Sequence, residues 1–93
     1  MPVMADVRSA LQDYRQAVRD VKQQFEDCLE QCKDQLKAQV DQCNQLPVPD
    51  QTPCRQNALQ VYQGCIQRCQ MIRNAALQAC DAQFLLALAQ ITP

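Results

Sequence analysis

The chain has 93 residues, 47% of them hydrophobic and 20% charged, with a formal net charge of −1. That balance excludes a disordered chain and a membrane-spanning one, and basic residues scattered among acids make a nucleic-acid surface an unfavourable reading. Seven cysteines without a single histidine leave two broad chemistries, a disulfide scaffold from an oxidising compartment or a thiolate metal site.

Glycine occurs once, and the bulk of the chain is Gln, Ala, Leu, Arg and Lys, all helix formers. Runs of β-branched or aromatic residues are missing, so the expected fold class is all-α, in a single domain over residues 1–93. The opening stretch, MPVMADVRSALQDYRQ, carries no apolar run followed by small residues, and no signal peptide is expected from it.

The first helix is expected over about 4–45. Its apolar seam runs Val7, Leu11, Tyr14, Val18, Val21, Phe25, Cys28 and Cys32, alternating steps of four and three. After Cys32 the seam continues at Leu36, Val40 and Cys43, a longer step that sums to eleven residues and nearly three whole turns. LPVPDQTP then predicts a turn at about 46–52, because Pro47 and Pro49 lack N–H groups and push the residues before them to extended conformations. Thr52 and Pro53 read as the cap and first residue of a second helix over about 53–91. Its seam is expected at Ala58, Val61, Cys65, Cys69, Ile72, Ala76, Cys80, Phe84, Ala87 and Ile91, with Gly64 as relief for close helix approach beside Cys65.

The cysteines fix the register. Two antiparallel helices joined by one turn bring together residues whose position numbers add to a constant. Cys28 with Cys69, Cys32 with Cys65, and Cys43 with Cys54 all add to 97, which centres the turn between Val48 and Pro49. The competing register, pairing Cys28 with Cys80 and Cys43 with Cys65, would centre it on Cys54, after the helix has restarted. Spacings of four and eleven keep all six thiols on one sector of each helix. Three hairpin disulfides are therefore expected, with thiolate metal ligands and buried free thiols as the alternatives. A thin two-helix hairpin buries too little apolar surface to offset chain entropy, so it needs such staples.

Two CX3C motifs on facing helices, joined outer to outer and inner to inner, resemble those of the plant α-hairpinins and the small Tim chaperones of the mitochondrial intermembrane space. The ten-residue gaps between Cys32 and Cys43 and between Cys54 and Cys65 are similar to those of twin CX9C proteins. The likeness covers cysteine spacing alone: here the CX3C motifs stand 32 residues apart and the helices run well past them. It supports the hairpin connectivity and transfers no family function.

No cysteine pair holds the half of the hairpin away from the turn, which must rely on packing. Its apolar surface is wider than one seam, with Leu77, Leu85, Leu86 and Leu88 on the second helix and Val3 and Met4 on the first. The expected interface is Val7, Leu11, Val18, Leu77, Phe84, Leu85, Leu88 and Ile91, used to pack two hairpins into a coiled-coil-like four-helix bundle, as a homodimer or higher homo-oligomer. Docking of a protein, peptide or hydrophobic ligand is the alternative use of that end. Cys80, the odd thiol, is expected to be buried or bonded to a second copy.

An enzyme is not expected. Without His there is no Cys–His or Ser–His nucleophile, CXXC is absent, and no glycine-rich phosphate loop occurs. The acids Glu26, Asp27, Glu30 and Asp34 read as a solvated helix face. The most apolar run, FLLALAQI, is about half the roughly 20 residues that cross a bilayer. The resulting expectation is a binding, scaffold or chaperone-like module that needs no cofactor. Its compartment would be oxidising, secreted or periplasmic, or the mitochondrial intermembrane space. A thiolate protein for Cu(I) or Zn²⁺ is the rival, since copper-storage bundles resemble it in lining their cores with CX3C cysteines, and a lipid-binding bundle is the third reading.

Overall fold

The computed structural model describes the backbone of residues 2–91 and the side chains of residues 6–91. Val3 and Met4 fall outside the described side chains. Two helices make up the fold, α1 at Pro2–Cys43 and α2 at Val48–Ile91, and no strand occurs among the described residues. The chain divides into two compact units, one of residues 25–71 and one of residues 1–24 with 72–93.

The connection is shorter than the prolines suggest. α2 begins at Val48, five residues before the expected start at Pro53, and Thr52 is no cap but lies inside the helix. The reason is that the first N–H groups of a helix have no intrahelical partner, so Pro49 loses nothing in the first turn. Pro53 leaves one carbonyl of the exposed first turns unbonded by the helix. The first such bond is the Asp50 N–H donating to the Pro47 carbonyl at 2.9 Å.

α1 ends without the left-handed residue that commonly closes a helix, since among the described residues none has positive φ. Its last carbonyls are met by the backbone that follows: the Asn44, Gln45 and Leu46 N–H groups donate to the carbonyls of Val40, Gln42 and Cys43 at 3.0, 3.1 and 3.1 Å. The Gln51 amide donates to the carbonyls of Leu46 at 3.0 Å and Asn44 at 3.3 Å, and Arg55 donates to Asn44 Oδ1 at 2.7 Å and to Gln51 Oε1 at 3.3 Å. Side chains of α2 thereby hold the connection that follows α1.

The buried residues follow one rule. In α1 they are Ala10, Val21, Cys32 and Cys43, and in α2 Ala58, Cys69 and Cys80, each eleven positions after the one before. Eleven residues make three turns to within about 20°, so such a repeat keeps one narrow stripe inward over many turns. The half-buried positions repeat with it: Tyr14, Phe25 and Leu36 in α1, and Tyr62, Arg73 and Phe84 in α2. The expected seven-residue rhythm before Cys32 is thus an eleven-residue one from Ala10 onward. Val61 and Ile72, expected on the inner seam of α2, are exposed, and Tyr62 and Arg73 stand one position on in their place. Both are half-buried, and Arg73 Nε donates to Asn74 Oδ1 at 3.2 Å.

Candidate functional site

In the unit of residues 25–71, three disulfides join the helices: Cys28–Cys69, Cys32–Cys65 and Cys43–Cys54, with Cα–Cα distances of 5.8, 5.7 and 5.5 Å. These are the pairs of the 97 register. Each bridge joins a buried sulfur to a half-buried one, because one member sits on the central stripe and the other seven positions along the repeat. Cys32, Cys43 and Cys69 are each 1% exposed. Gln35 stands beside the bridges, its Oε1 4.0 Å from Cys65 Sγ.

The two CX3C bridges form a single sulfur cluster. Cys32 Sγ and Cys69 Sγ belong to different bridges yet lie 3.6 Å apart. The sulfurs of Cys28, Cys32 and Cys69 all fall within 4.8 Å of one another, a grouping with the right donors for a soft metal ion when reduced. Spacing of four residues on both helices brings this about, since i and i+4 stand one above the other on a helix face.

Gly64 lies beside this cluster without touching it. A Cβ added there would meet nothing within 4 Å, so the expected role in close helix approach is overturned. A side chain at this position would point into open space.

In the other unit the site is a ring pair over a free thiol. Tyr14 and Phe84 stack with centroids 4.8 Å apart at 33°. The Tyr14 hydroxyl donates to Asp81 Oδ1 at 2.6 Å, and this bond, then desolvation, then the charges of Asp81 and Cys80, raise the tyrosine pKa above its ordinary value. Cys80 is free and only 8% exposed, lining a groove with Ala10, Asp13, Ala17, Gln83 and Ala87. It occupies the place opposite Ala17 that the register assigns. A bridge to a second Cys80 would require the thiol to leave that interior.

The expected interface residues divide by burial. Val7, Leu11, Val18, Leu77, Leu88 and Ile91 are half-buried flanks of the stripe, and Phe84 is engaged with Tyr14. Leu85 is exposed, as are Ile72 and Leu86, at 63% and 64%. Within this unit Ile72, Ala75, Ala79, Ala82, Leu86 and Ala89 are all exposed and recur at steps of three and four on the side of α2 opposite its buried stripe. The signal was present in the sequence, but Ile72 had been assigned to the inner seam, which hid this second one.

Comparison with known protein families, curated proteins and solved structures finds no match. The reading of function therefore rests on these two units. Among the described residues no helix is long and apolar enough to cross a membrane.

Proposed function

We propose that this chain is a non-enzymatic interaction module, a disulfide-stapled helical hairpin that associates with a second copy of itself through the outward face of α2. One observation carries the reading: Ile72, Ala75, Ala79, Ala82, Leu86 and Ala89 form an exposed seam with coiled-coil spacing and no charge. Among the described side chains α1 has no such run, because its exposed positions are acids, bases and Gln apart from Ser9 and Ala38. A helix that is apolar on two sides calls for a partner on each, and α1 covers one.

A second copy suits the other side for two reasons. An uncharged stripe is complementary to itself across a two-fold axis, where a charged one would repel. Ala75, Ala79 and Ala82 also let two helices approach closely between the larger Ile72 and Leu86 side chains. Four helices then enclose both seams of α2, and the three disulfides fit assembly in an oxidising compartment.

Sedimentation velocity of the oxidised chain tests this. The expected result is a dimer, and an Ile72→Glu/Leu86→Glu variant of unchanged helicity should dissociate. Each lost side chain is worth about 1.5–3 kcal/mol of burial, so the dissociation constant should rise at least about 100-fold. A wild-type chain that stays monomeric at high concentration would remove the proposal, as would a dimer indifferent to both substitutions. Binding of lipid vesicles or a foreign peptide by that monomer would transfer the face to one of those partners.

A further inference from the structure

We propose that the two nested CX3C bridges are one state of a redox-gated metal site, in which reduction frees Cys28, Cys32, Cys65 and Cys69 to bind a single tetrahedral, thiophilic divalent cation. The inference rests on the sulfur cluster and is independent of self-association through α2.

The geometry comes first. A cation held by four thiolates at about 2.3 Å sets its sulfurs roughly 3.8 Å apart. Cys32 Sγ and Cys69 Sγ, unbonded to each other, are already 3.6 Å apart, and Cys28 Sγ lies within 4.8 Å of both. The fourth sulfur, Cys65, is bonded to Cys32 and so starts beside the same group. Once the bridges open, rotation about the Cα–Cβ bonds spreads the four sulfurs. Cα–Cα distances of 5.8 and 5.7 Å leave the cation room between the helices.

The ligand set fits a narrow class of ion. Four sulfurs, with no histidine in the chain, suit Zn²⁺ and its tetrahedral relatives and disfavour hard ions such as Mg²⁺ or Ca²⁺. Gln35 supplies a supporting contact. Its side-chain amide lies 4.0 Å from Cys65 Sγ, and the amide flipped end for end turns an N–H donor toward a thiolate. Cys43–Cys54 stands outside the cluster, with its own pair of helix positions close to the turn.

The chemistry balances as follows. Two equivalents of a dithiol reductant each pass two electrons and two protons to one bridge, leaving four protein thiols and two oxidised reductant molecules. One M²⁺ then displaces the four thiol protons to give a tetrathiolate complex of charge −2. In the reverse direction two equivalents of a small-molecule disulfide take up those four electrons with four protons from water and leave as dithiols, while both protein bridges re-form and M²⁺ is released.

Titration of Co²⁺ into the anaerobic chain, reduced with a non-chelating phosphine, is the test. The expected result is one Co²⁺ per chain with the intense visible bands of a tetrahedral thiolate site, displaced by one Zn²⁺. A Cys43→Ser/Cys54→Ser variant should bind equally. A Cys32→Ser/Cys65→Ser variant keeps two bridges when oxidised, so its fold can be verified by circular dichroism before reduction; it should bind at least on the order of 100-fold more weakly. No tetrahedral spectrum from the reduced wild type would overturn the proposal. So would equal binding by the oxidised chain, or undiminished binding by Cys32→Ser/Cys65→Ser.

Discussion

A Cys43→Ser/Cys54→Ser variant should be less stable than the native chain by about 3 kcal/mol, the chain-entropy value for a loop of about a dozen residues. For a domain of this size that lowers the thermal midpoint by roughly 15 °C. The loss is large because the other restraints near the turn lie at the surface: Leu46, Pro47, Val48 and Pro49 are exposed, and Gln51 and Arg55 hold Asn44 and Leu46 by exposed hydrogen bonds. Opening Cys28–Cys69 alone should cost less, since Cys32–Cys65, one helical turn away, still holds the two helices together. Thermal unfolding of the two double variants side by side, followed by far-ultraviolet circular dichroism, checks both the size and the order. Equal losses, or a negligible one at Cys43–Cys54, would show that packing rather than the staple holds the turn.

Phe84→Ala should act on the other unit alone. No disulfide crosses between residues 1–24 and 72–93, where the buried stripe consists of Ala10, Val21 and Cys80 and the rings of Tyr14 and Phe84 stack across it. Truncating a half-buried ring costs about 2 kcal/mol, less than the value for a fully buried one. Amide hydrogen exchange should then accelerate roughly 30-fold in residues 6–24 and 72–91 and stay unchanged in 25–71, where three bridges lie. Uniform acceleration along the chain would mean that the units open together, and no change would mean that the ring pair contributes nothing.

What the sequence made legible was set by how tightly each feature is constrained. A disulfide needs two Cα atoms within a few ångströms, so six cysteines on two helices left one register compatible with the prolines, and all three pairs follow from it. The helix boundary at Val48 was less legible, because a proline reads as a helix breaker unless it falls in the first turn, where its missing N–H has no consequence. The seam was obscured by residue type. Ala10 looks neutral beside Leu11, yet the small residue lies on the central stripe and the larger one flanks it. Arg73 was unreadable as a seam position because its charge masks an apolar stem, and its neighbour Ile72 drew the assignment instead. Continuing the eleven-residue step of the cysteines toward the N-terminus adds Ala10 to a seam that already held Val21, Ala58 and Cys80.

The account depends above all on the register in which the two helices are bonded. Proteolytic digestion of the chain without reductant, after its free thiol has been blocked, followed by mass spectrometry of the bridged peptides, measures that register directly. The intact oxidised chain should weigh about six mass units less than the reduced one, two hydrogens for each bridge. The linked peptides should pair Cys28 with Cys69, Cys32 with Cys65 and Cys43 with Cys54, and the blocking group should be found on Cys80 alone. A bridge joining Cys80 to any of the other six, or Cys43 to Cys65, would contradict the hairpin register and the sulfur cluster built on it.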